Sequence, residues 1–152
     1  SGMKNDRDDE FFTPAQESEI IEAIKKAEKN TSGEIRVHVE NGHDDKDVLH
    51  RAGEVFATLG MDRTELGNGV LLYIDLKHHR FAIWGGRGIY ELVPEGFWDQ
   101  TYNLARGHFK NGEITEGLCR AIEQVGEKLK YYFPYRDGDV NELPDEISKG
   151  NV

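Results

Sequence analysis

Hydrophobic residues recur along this chain with two different periods, and the switches between them divide it into helices and strands. Ile20, Ile21, Ile24 and Ala27 lie on one helical stripe that runs to about Asn30. Thr13-Pro14-Ala15-Gln16 supplies its start, with Thr13 as N-cap, Pro14 in the first turn and Gln16 completing a capping box. Over residues 34–40 the period falls to two. Ile35, Val37 and Val39 share one face and Glu34, Arg36, His38 and Glu40 the other, which predicts a half-exposed strand at a sheet edge. Val48, Leu49, Ala52, Val55, Phe56 and Leu59 predict a second amphipathic helix, closed by Gly60. Residues 70–74 are apolar without a break, the mark of a central strand covered on both faces. Phe81-Ala82-Ile83-Trp84 is its hairpin neighbour. Phe97, Trp98, Leu104, Ala105 and Phe109 predict a third helix, broken at Asn111-Gly112. Ile114, Leu118, Ala121, Ile122, Val125 and Leu129 predict a fourth, ending near Phe133-Pro134.

The order α-β-α-β-β-α-α implies an α/β fold: a three-layer α-β-α sandwich around a small mixed, mostly parallel sheet of three to four strands. The first two strands, joined through a helix, are expected to be parallel with a right-handed crossover, and the hairpin makes the third antiparallel. One domain over residues 11–134 is expected, between a charged, flexible stretch at 1–10 and an acidic, turn-rich, flexible tail at 135–152. Ser1-Gly2 ahead of Met3 reads as a cloning remnant.

Composition narrows the partners. Asp and Glu number 29 against 19 Lys and Arg, a net charge of -10, which argues against nucleic acid or an anionic membrane and suits divalent cations. Cys119 is the one cysteine, so no intrachain disulfide forms, and its apolar helical setting marks it as a core residue. No apolar run is long enough to span a bilayer and no signal peptide is visible, so a cytoplasmic monomer is expected.

The inferred topology sorts the acids. The loop before the second strand and the loop after the third arrive at the end where the first strand begins. Glu34, Asp62, Glu65, Asn68, Glu91 and Glu95 therefore gather there from three segments. Glycines 85, 86 and 88 free the backbone of that last loop, and oxygen ligands of this number suit one or two calcium ions, with Mg2+ or another divalent cation as a substitute. At the opposite end stand Asp44, Asp45, Asp47 and Asp75 with His43, His78 and His79. Ligands of open α/β sheets favour the carboxyl ends of parallel strands, which is this second end. Its residues also have plain structural uses, Asp45 or Asp47 as a helix cap and Asp75 and Lys77 in a hairpin turn. His38 is expected on an exposed strand face without a partner. The alternation Asp137-Gly138-Asp139-Val140-Asn141-Glu142 opens like an EF-hand but lacks its later Gly and Glu, and reads as tail. Gly85-Gly86-Arg87-Gly88 lacks the Lys-Ser/Thr of a P-loop and is expected to reach Pro94 before any helix.

Gly69-Val70-Leu71-Leu72 and the segment from Gly86 through Ile89, Tyr90, Glu91 and Pro94 to Glu95 resemble the TPM domain family, with its Gly-Val-Leu-Leu strand and Gly-x-Gly-Leu-Glu-x-x-Leu-Pro-Asp loop. Tyr90 departs from the family's Glu and Glu95 from its Asp. The resemblance implies the sandwich fold, calcium binding at acidic loops and, in some members, weak acid phosphatase activity. Two functions are therefore expected. One is a calcium-binding domain whose loops are ordered by metal, acting as a regulatory or protein-interaction module. The other is a metal-dependent acid phosphatase acting on phosphomonoesters, with Glu91 or Asp62 as base.

Overall fold

A computed structural model describes residues 11–136 and 144–152 of the chain. The EF-hand-like alternation and the charged stretch at 1–10 lie outside the described residues. Helix α1, Pro14–Glu28, opens with the capping box: Thr13 Oγ1 accepts from the Gln16 amide and the Gln16 side chain accepts from the Thr13 amide. Strand β1, Glu34–Glu40, leads through a loop to α2, Val48–Thr58, which Asp47 caps at Leu49 and His50 and which Gly60 ends in the left-handed region. A short 3-10 turn, Met61–Arg63, precedes β2, Gly69–Asp75, and β3, Arg80–Gly85. Then come α3, Arg87–Leu92, α4, Phe97–Lys110, α5, Ile114–Tyr132, and β4, Ser148–Lys149.

The sheet order is β3-β2-β1-β4. Strand β1 runs parallel to β2, with Val37 beside Leu72, and parallel to β4, while β2 and β3 form the expected antiparallel hairpin. One face carries Ile35, Val37, Val39, Val70, Leu72, Ile74 and Phe81 against α1, α4 and α5. The other carries Leu71, Tyr73 and Ala82 against α2. No helix among the described residues is long and apolar enough to cross a membrane.

The structure differs from the sequence pattern in four places. Strand β1 is interior, because Ser148 and Lys149 pair along the side expected to be free. That pairing also places Ser148 and Lys149 in a strand within the stretch expected to be a flexible tail, and Lys149 Nζ adds an ion pair to Glu17 at 2.9 Å. Helix α3 starts directly after Gly86, where a loop running to Pro94 was expected, since Gly86 serves as its N-cap and Pro94 stops it from continuing. Finally, Asn68 ahead of Gly69 is a residue type expected to take the left-handed conformation, whereas the left-handed residue before β2 is Gly67, at φ 63°.

Candidate functional site

At the head of the sheet, where β1 and β2 begin, the three predicted segments do meet through their backbones. The Glu34 amide donates to the Asn68 carbonyl at 3.2 Å, Gly86 to Gly69 at 2.7 Å and Ile89 to Gly67 at 3.0 Å. The approach demands glycine: a Cβ on Gly88 would lie 2.1 Å from the Leu66 carbonyl oxygen. The side chains divide into two sets. Glu34 and Asn68 are buried at 2% and 1% exposure, and Asn68 Nδ2 donates to Ser32 Oγ at 3.2 Å. Asp62, Glu65, Glu91 and Glu95 are exposed, and Glu91 pairs with Arg87 at 3.2 Å. The topology thus joins the backbone at residues 34, 67–69 and 86–89, and of the six predicted residues it buries only Glu34 and Asn68.

A different pair of carboxylates joins Glu34. A cavity of about 470 Å³ at the foot of α1 is lined by Glu28, Ser32, Glu34 and Asp145 among others. Its floor, residues 30–33, is fastened to the end of α5: Thr31 Oγ1 donates to Leu129 and Phe133 carbonyls, and the Tyr135 amide donates to the Asn30 carbonyl at 2.9 Å. Glu28 Oε2 accepts from the Ile35 amide at 2.8 Å. Burial, a hydrogen bond shared with Asp145 and the charges of Glu34 and Asp145 push the Glu28 carboxyl up to about 10. Three acids held this close can share a proton or bind a hard cation. Glu28 was missed because it falls among the polar positions of a helix end. Asp145 was missed because no local pattern ties it to a site more than a hundred residues earlier.

The opposite end of the sheet is occupied by structural bonds. Asp75 is fully buried and accepts from the Gly42, Lys77 and His78 amides, from His78 Nδ1 at 2.9 Å and from Arg80 Nη2 at 3.0 Å. Arg80 also donates to the Asp45 and His43 carbonyls, stitching the loop before α2 onto the hairpin. One group of three ligand types arises there: Asp45, His50 and Glu54 have ligand atoms within 4.8 Å of one another. Asp45 Oδ2 and His50 Nδ1 already bond each other at 2.5 Å on the surface.

His38 corrects the sequence expectation most sharply. It is fully buried, with Nδ1 bonded to Ser148 Oγ at 2.8 Å and Nε2 to Glu40 Oε2 at 3.4 Å. Glu40 also accepts from Tyr73 Oη and from Nε and Nη2 of Arg51. Burial opposes ionisation of Glu40, but the bonds from His38, Arg51 and Tyr73 outweigh it and hold the carboxyl down at about 2. The row Ser148, His38, Glu40 has the residue types of a hydrolase triad without its use. Ser148 is 8% exposed, it does not line the cavity at Glu28, and Arg51 neutralises the acid. The network is the polar core beneath β1 and β4, and it is why the polar face of β1 can be buried.

The sequence profile of the TPM domain family matches residues 6–128. Among solved structures, BA42 from the psychrophilic bacterium Bizionia argentinensis is similar at 48% identity and TM-score 0.85, over 93% of this chain and 97% of that one. The N-terminal domain of a protein from P. gingivalis shares the fold at TM-score 0.70 and 19% identity, over 84% of this chain and 83% of that one. The N-terminal domain of cg2496 from Corynebacterium glutamicum does so at TM-score 0.63 and 16% identity, over 78% and 74%. No curated protein matches the chain.

Proposed function

The chain belongs to the TPM domain family, and from that premise we propose that it is a divalent-cation module, with calcium as its ion. Glu28, Glu34 and Asp145 are its acidic ligands, Asn68 steadies Ser32 beside them, and the ion-bound form is the one that regulates or engages a protein partner. The observation that supports this is the crowding at Glu28. Three carboxylates face one cavity, and one of them is kept protonated by burial and by its neighbours. A hard cation with oxygen ligands at about 2.3–2.6 Å removes that repulsion. Of the residues expected from sequence, Glu34 keeps a ligand role. Asp62, Glu65, Glu91 and Glu95 lie at the surface, so one ion is proposed and not two. Asp45, His50 and Glu54 are the alternative position, better suited by their imidazole to a transition metal.

The test is calcium titration of the metal-stripped protein followed by residue-resolved amide NMR. Saturable shifts at residues 28–35 and at Asp145, lost in Glu28→Gln, are expected. Shifts confined to residues 45–54 would move the site across the sheet. No saturable response at millimolar calcium would overturn the reading.

A second reading, a metal-dependent phosphomonoesterase, draws on Lys25 and Lys29, which line the same cavity and can meet a phosphate. A bound cation would polarise the phosphate there and acidify a water. Turnover of p-nitrophenyl phosphate that disappears in Glu28→Gln, with the fold intact, would favour it over a module without chemistry.

A further inference from the structure

One edge of the sheet is the two-residue strand β4, and the other is the longer strand β3. β4 covers β1, while β3 is the outer strand at the far edge. The Gly86 amide bonds inward to Gly69, which sets the alternation of an antiparallel ladder. Ala82 and Trp84 therefore direct their backbone groups at β2, and Phe81, Ile83 and Gly85 direct theirs outward. Among the described residues no bond to those outward groups is present.

This edge is the floor of a groove of about 1100 Å³. One wall is α2 at Leu49 together with the Trp84 ring, and the other is formed by Tyr90, Trp98 and Tyr102. Leu49 and Tyr90 are 54% and 64% exposed, and Tyr102 stacks on Phe81 at 5.8 Å. Glu95 and Asp99 stand on the same rim, and neither has an ion pair among the described residues, whereas the rim's Arg87 is already held by Glu91.

We propose that this open edge takes an extended segment of a partner protein as a fifth strand beside β3. Unpaired amides and carbonyls along a strand ask for another extended backbone, and a floor between two apolar walls asks for large apolar side chains at alternate positions. The unpaired acids on the rim ask for Lys or Arg in the same segment. Charge disfavours the two occupants nearest at hand. A second copy of the chain carries the same net charge of -10, and residues 1–10 hold four acids against Lys4 and Arg7. The groove lies apart from the cavity at Glu28, so this inference does not depend on the cation.

The experiment is selection of a displayed random octapeptide library against the full chain, then titration of the enriched peptides by tryptophan fluorescence and amide hydrogen exchange. Enriched peptides are expected to alternate apolar residues and carry a basic one, and to slow exchange at Phe81, Ile83 and Gly85. N-methylation of alternate peptide amides should abolish binding, and Asp99→Lys combined with Glu95→Lys should weaken it at least tenfold. The inference is overturned if no peptide enriches, if binding survives N-methylation, or if the protected amides lie elsewhere. Protection that appears with protein concentration alone would assign the edge to a second copy, and exchange that speeds up on deleting residues 1–10 would assign it to the chain's own start. Either result also overturns it.

Discussion

Replacing Arg51 by Met tests whether the polar core under β1 is held by charge. Arg51 is 5% exposed and Glu40 1%, so the pair sits almost wholly out of water. Methionine keeps most of the apolar stem and removes the guanidinium. What remains is a buried carboxylate with Tyr73 and His38 and no cation, and stranding a buried charge in this way costs about 3–5 kcal/mol. The carboxyl gives a second figure, one for the bonds from His38, Arg51 and Tyr73 taken together. It falls from an ordinary 4.5 to about 2 on folding, and at about 1.4 kcal/mol per pH unit that is about 3–4 kcal/mol. The sign follows from the direction. A carboxyl lowered by folding contributes its full stability above pH 4.5 and loses it as the pH falls toward 2. Urea unfolding followed by circular dichroism should therefore place Arg51→Met about 3 kcal/mol below the parent at pH 7. The gap should shrink as the pH drops from 4.5 toward 2. Adding Glu40→Gln to Arg51→Met should recover part of the loss, since it removes the stranded charge. A loss under about 1 kcal/mol at pH 7, or a gap that ignores pH, would refute the reasoning.

Four further outcomes are expected. Glu28 is raised on folding, so without metal its contribution is full below pH 4.5 and is lost as the pH rises toward about 10. Its proton must leave before a cation binds, so calcium affinity measured by calorimetry should increase from pH 6 to pH 9, and a flat profile would remove Glu28 from the ligands. A Cβ on Gly126 would lie 2.6 Å from Ala27 Cβ where α5 crosses α1; Gly126→Ala should cost about 1–3 kcal/mol by overpacking, and an unchanged Tm would contradict that contact. Thr13→Ala removes the N-cap of α1 and should cost about 1 kcal/mol in urea unfolding, with no loss if the capping box is idle. Burial pushes the Cys119 thiol up to about 11, so at pH 8 it should react with thiol reagents about a hundredfold more slowly than an exposed cysteine, and rapid labelling would show that α5 opens.

The fold was legible because its signals are local. A capping box, two periods of apolar residues and a six-residue turn between strands each act within a few positions, and together they gave the sandwich, the parallel pair and the hairpin. What escaped were features that depend on residues far apart. The period-two pattern of β1 is the same whether its polar face meets water or meets Arg51, Tyr73 and Ser148, so burial of His38 and Glu40 could not be read from it. β4 is two residues long and has no periodicity to detect. The candidate site was legible in its place and in Glu34, because topology sends certain loops to certain ends. It was not legible in Glu28 and Asp145, because a carboxylate's neighbours are set by packing and not by spacing.

The brief pairing of β4 with β1 has a kinetic consequence. The bond from His38 to Ser148 spans 110 positions, whereas the β2-β3 hairpin closes within a handful. β4 brings only two residues to the sheet, so little pairing compensates for ordering the chain that leads to it, and β4 should dock late in folding and come away early in unfolding. Asp145 travels with it. The crowding of acids around Glu28 is then encountered only in the final step, and is the first strain released when the native protein breathes. Anything that neutralises those acids would act chiefly on the opening rate of this one segment, leaving the global unfolding rate nearly untouched.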